Sequence, residues 1–104
     1  MKLVVSKRVV SAIDEFYLAA MRLHDTLDIN TVLKKKQRLL ESLEFLTIFP
    51  EAYGYARVRK EWCDAGYRVF ISEDFHFAYT IRMIEGEEPV VLVVDAVHSL
   101  LNHE

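Results

Sequence analysis

The residues of this chain that could do chemistry are arginines and histidines. Arg57, Arg59 and Lys60 stand close together, Arg68 follows Gly66-Tyr67, and Arg82 closes the next apolar stretch. A guanidinium binds two phosphate oxygens at once through its planar fork and keeps its charge, so this set has the makings of a platform for an anionic backbone. His76, His98 and His103 lie in the same part of the chain. An imidazole titrates near neutrality and can give or take a proton unaided. Plainer readings stand beside these. Arg57 and Arg59 read equally as solvated strand residues, with Glu61 pairing Arg68 across a hairpin. His98, after an apolar run, reads equally as a structural residue bonded to a carbonyl.

Other chemistries find little support. His76, His98 and His103 match no recognised zinc spacing, and Cys63 is the single cysteine, so neither a metal nor another cofactor is expected. No serine sits in a nucleophile elbow and no glycine-rich loop cradles phosphate. Lys34-Lys35-Lys36 reads as a solvated helix face that can add to an anion-binding surface. The net charge is −3, with 11 basic and 7 acidic residues in 1–60 against 2 and 9 in 61–104. An acidic total argues against generic nucleic-acid binding, which depends on neutralising phosphates, but leaves room for a local basic patch. The apolar run Val90 to Val94 is far short of the about 20 residues that span a bilayer. The lone cysteine suits a reducing compartment, so a soluble cytoplasmic protein with no membrane partner is expected.

The elements that must position these residues follow from periodicity. Lys2 to Ser6 reads as a strand and Ser6 as the cap of a helix. Val9, Ile13, Phe16, Ala20 and Leu23 recur at helical spacing up to about His24. Asn30 or Thr31 is expected to cap a second helix running to about Ile48, with Leu33, Leu39, Leu40, Leu43 and Leu46 as its apolar stripe and Pro50 as its stop. Tyr17, Phe16, Phe45 and Phe49 are expected in the core of this helical hairpin, or lining a groove for a partner. From Ala56 to Trp62 the alternation predicts a strand. Cys63 to Gly66 then reads as a hairpin loop placing Glu61 opposite Arg68, with Tyr67, Val69 and Ile71 on the apolar face. A three-residue connection with a bulge leads into Phe75, Phe77, Tyr79, Ile81 and Met83, and Val90 to Val97 reads as a central strand. The class is α+β. An N-terminal strand and a helical hairpin pack on one face of a twisted, mostly antiparallel sheet, in the order β-α-α-β-β-β-β, as one domain over residues 1–104. The other face would carry Arg57, Arg59, Glu61, Arg68, His76, Thr80 and Arg82.

Over nearly its whole length the chain resembles the RelE/ParE superfamily, the toxins of bacterial type II toxin–antitoxin (plasmid stabilisation) modules. The resemblance is best over Gly66-Tyr67-Arg68, Phe77-Ala78-Tyr79 and His98, and includes Ser6 and the exit Leu46…Pro50…Gly54. It implies the same helical hairpin on a curved sheet, growth inhibition, and neutralisation by a cognate antitoxin. A hetero-oligomer with that antitoxin or a homodimer would be the assembly. RelE-like members cleave mRNA on the ribosome, whereas ParE-like members poison DNA gyrase. In the nuclease reading Arg68, His98 and His103 are the catalytic residues of a metal-independent endoribonuclease, attack coming from the 2′-hydroxyl. Arg57, Arg59, Lys60, His76 and Arg82 would then bind nucleic acid or another target. His76 stands where those nucleases commonly have arginine, Ser99 where they often have arginine, and His103 where they have tyrosine. The resemblance therefore leans toward a ParE-like or catalytically reduced toxin, with the nuclease and a non-toxic interaction domain on the same fold as alternatives.

Overall fold

Residues Lys2–Val5 form β1, and the chain leaves it at Ser6. The Ser6 hydroxyl accepts a hydrogen bond from the Val9 amide at 3.4 Å and donates one to the Val94 carbonyl at 3.0 Å. One side chain thus satisfies a free amide at the start of α1 (Lys7–Leu23) and ties that helix to the sheet. Val9, Ile13 and Tyr17 recur every fourth residue and are buried. Asp28 caps α2 (Ile29–Ser42), rather than Asn30 or Thr31: its carboxylate accepts from the Thr31 amide at 2.8 Å. α2 tightens into a 3-10 helix over Leu43–Thr47 before Pro50. Its buried stripe is Val32, Leu39, Leu43 and Leu46; Leu33, expected in that stripe, is 54% exposed. Phe45 and Phe49 are also exposed rather than core, while Tyr17 is buried and Phe16 packs at the core's margin. An ion pair from Lys36 to Asp14, at 2.6 Å, joins the two helices.

The structure is a computed structural model and describes residues 1–101. It has the expected class: an N-terminal strand and two helices against a four-stranded mixed sheet, in the order β1, β4 (Val90–His98), β3 (Phe75–Arg82), β2 (Arg68–Ser72). β1 runs parallel to β4, while β3 lies antiparallel to β4 and to β2. Phe70, Phe75, Phe77, Tyr79, Val91, Val93 and Ala96 meet the helices in one core. Ala78 pairs with Asp95 and Tyr79 with Val93, so Val94 is an extra residue in β4. This bulge reverses the alternation. Ala96 stays on the helical side with Val93, and Asp95 goes to the far face.

One expected element is replaced. Ala56 to Trp62 is not a strand; Lys60–Ala65 forms a short helix, α3. Alternation over so few residues fits either period, and the local chemistry favours the helix. Lys60 pairs with Asp64 at 3.0 Å across one turn. Gly66 closes α3 with φ 73°, the left-handed conformation that ends helices, so Cys63 to Gly66 is a helix terminus and not a hairpin loop. A second departure lies in the Glu73-Asp74 connection, a two-residue turn with Glu73 at φ 52°. Its even parity pairs Phe70 with Phe77, so Phe70 faces the helices, and Val69 and Ile71 turn to the far side. Tyr55, not Glu61, stands opposite Arg68.

Gly66 discriminates helix terminus from loop. A Cβ there meets nothing within 4 Å, so Gly66→Ala carries only the cost of the left-handed backbone, about 1 kcal/mol. Gly54 lacks a positive φ and also has open space, so Gly54→Ala should change stability by less than about 0.5 kcal/mol. Urea denaturation of both variants measures the difference.

Candidate functional site

Arg68 opens β2 on the helical side of the sheet, paired with Tyr79. The segment after Pro50 folds over it. One Nη of Arg68 donates to the Tyr53 carbonyl at 2.6 Å and, more weakly, to that of Glu51 at 3.4 Å. The other donates to the Tyr55 hydroxyl at 3.1 Å, and the guanidinium carbon sits 4.3 Å from the centre of the Tyr55 ring. Tyr79 donates its hydroxyl proton to the Pro50 carbonyl at 2.6 Å, and Tyr53 packs edge-on against Phe70. Burial pushes the Tyr79 pKa up to about 12 against the opposing pull of Arg68, so its phenol remains a donor. Beside Arg68 a cleft of about 370 Å³ is lined by Glu51, Tyr55, Thr80, Ile81 and Met83. The guanidinium at its wall is largely committed to holding residues 51–55, and it presents charge to the cleft alongside the face of Tyr55.

The far face is not an open arginine surface. Trp62 on α3 is 2% exposed and donates its indole N–H to Asp95 Oδ2 at 2.9 Å, which places α3 over this face. The other oxygen of Asp95 accepts from Arg8 Nε at 3.1 Å and from the Ala96 amide at 2.9 Å. Ala78 and His76, both on this face, are buried. The guanidinium of Arg59 lies 5.5 Å from the centre of the Trp62 ring and 4.0 Å from the Glu61 carboxylate. Arg57, Lys60 and Arg82 are exposed, Lys60 being the partner of Asp64. The carboxylate that organises this face went unread in the sequence. Asp95 is the single charge in the apolar stretch 90–97, and that isolation was the available signal.

His98 lies on the helical side but at the start of β3, paired with Phe75, whereas Arg68 pairs with Tyr79 farther along that strand. Its ring stacks on Phe16 at 3.7 Å and 10°, with Phe75 edge-on at 5.2 Å. Nδ1 accepts from the Leu100 amide at 3.2 Å, which leaves the neutral imidazole's proton on Nε2. Burial lowers its pKa from the ordinary value, His76 lowers it further, and Asp74 opposes. Four residues of strand separate Phe75 from Tyr79, roughly 13 Å at a strand's rise. Arg68 and His98 therefore do not share a site. His103 falls outside the described residues. Among the described residues no group of three or more His, Cys, Asp or Glu converges as for a metal, and no helix is long and apolar enough to cross a membrane.

No protein-family model matches this chain, and no curated protein sequence is significantly similar to it.

The Arg68 corner makes a quantitative prediction. Arg68→Ala removes charge-assisted bonds that hold residues 51–55 and should cost about 1–3 kcal/mol in urea unfolding. Arg68→Lys cannot span the Tyr53 carbonyl and Tyr55 hydroxyl together and should recover less than half of that loss. Tyr55→Phe keeps the ring beside the guanidinium and should cost less than about 1 kcal/mol.

Proposed function

We propose that this chain is the toxin of a bacterial type II toxin–antitoxin pair, ParE-like or catalytically reduced, which inhibits growth unless its antitoxin is bound. The architecture supports this reading to the extent that it has the helical hairpin against a sheet that the resemblance implies. The observation that carries the choice among toxin types is the separation of Arg68 from His98. General acid–base cleavage of RNA needs a phosphate-holding cation and a proton carrier on the same phosphodiester. Here the cation is tied into residues 51–55, and the imidazole is stacked against Phe16 at the other end of the sheet. Inhibition by docking on a macromolecule asks for no such convergence. The antitoxin would cover apolar surface, and Phe45, Ile48 and Phe49 supply it: three large side chains close in sequence, all more than half exposed. DNA gyrase is the target of the favoured reading.

Induced expression in a bacterial host without the antitoxin tests it, with growth, transcript integrity and the DNA-damage response followed together. The expected outcome is arrest with a DNA-damage response and intact transcripts. Arrest with cleaved transcripts would replace it by the ribosome-dependent nuclease. Normal growth with folded protein present would leave a non-toxic interaction domain on the same architecture.

A further inference from the structure

α2 carries two apolar stripes. The first, Val32 and Leu39 continuing to Leu43 and Leu46, is buried in the core. The second lies beside it and is formed by Ile29, Leu33 and Leu40, spaced by four and seven residues on one side of the helix. Ile29 and Leu33 are each more than half exposed. A shallow depression of about 460 Å³ runs along this side, lined by Leu33, Lys36, Gln37, Leu40, Glu41 and Glu44. Charge along the helix is polarised: Lys34, Lys35, Lys36 and Arg38 precede Leu39, while Glu41 and Glu44 follow it.

This pattern selects its own occupant. A helix that is basic at its start and acidic at its end complements a copy of itself laid antiparallel. A twofold axis near Gln37 sets Leu33 of each copy against Leu40 of the other. The same flank of the interface then brings Lys34 of each copy to Glu41 of the other, because a twofold axis places like flanks together with reversed direction. Lys36 of the two copies approaches near the axis, where its ion pair with Asp14 offsets the repulsion. A parallel arrangement would instead stack the lysines of one copy on those of the other.

We propose that the chain forms a homodimer through antiparallel pairing of α2 on the Ile29, Leu33 and Leu40 stripe, with reciprocal Lys34–Glu41 ion pairs across the twofold axis. The pairing residues are not Phe45, Ile48 or Phe49, so the dimer stands whether or not the chain is a toxin.

Sedimentation velocity of the full chain over a wide concentration range tests the pairing. The expected species at high concentration has twice the 12.1 kDa chain mass. Leu33→Glu should yield monomer, with its helical circular dichroism retained because Leu33 lies outside the core. Lys34→Glu alone and Glu41→Lys alone should each weaken association about tenfold or more, by setting like charges together. The double exchange Lys34→Glu with Glu41→Lys should restore it. A chain that is monomeric at every concentration overturns the proposal. So does a dimer indifferent to Leu33→Glu, which would place the interface elsewhere, or a double exchange no better than the single changes.

Discussion

The carboxylate of Asp95 is the constraint on which the two faces of the sheet depend. It reaches the far face because Val94 is an extra residue in β4. There it accepts hydrogen bonds from Arg8 on α1, from Trp62 on α3 and from the following backbone amide. Its side chain is only 16% exposed, so an unmet oxygen would be costly. The same bulge receives the Ser6 hydroxyl at the Val94 carbonyl, which fixes where α1 leaves the sheet. One irregularity in one strand thus seats the long hairpin on one face and the short helix on the other.

From this follows the distribution of the chemistry-bearing residues. With α3 on the far face, Arg59 lies by Trp62, His76 is buried, and Arg68 stands on the opposite side of the sheet. The helical side keeps Arg68 beside Tyr79 midway along β3 and His98 beside Phe75 at its start, each held by neighbours of its own. Arg68 is tied to the carbonyl of Tyr53 and the hydroxyl of Tyr55. His98 is held by the Phe16 ring it stacks on and by the Leu100 amide its Nδ1 accepts from. Groups so committed are well placed and poorly convergent. That is the physical ground for preferring action by docking over phosphodiester cleavage.

Much of the architecture was legible where a long period repeats. The spacing of Val9, Ile13 and Phe16 marks α1, Ser6 reads as its cap, and the alternation from Phe75 places Phe77 and Tyr79 in the core. The misreadings lie where few residues carry the signal. Ala56 to Trp62 alternate well enough for a strand, yet Lys60 to Ala65 form a helix, with one ion pair across its turn and a left-handed glycine at its end. The parity of β2 rests on a two-residue turn that holds Glu73 at positive φ, which no glycine or asparagine announces. Leu33 fits a helical stripe as well as Val32 does, and only the packing of α2 decides which of the two is buried. The site was less legible than the fold. Arginines and histidines can be counted in a sequence, but whether they meet depends on a bulge and a turn.

Trp62 is the only tryptophan of the chain, so its fluorescence reports directly on the far face. The decisive measurement is the emission wavelength and acrylamide quenching of folded Asp95→Ala against the unsubstituted protein, with helical circular dichroism followed in parallel. If Asp95 seats α3, the variant's emission moves to longer wavelength and quenching rises while the α1–α2 helical signal persists. Emission and quenching equal to those of the unsubstituted protein would show that α3 keeps its place without the carboxylate, and would contradict the account.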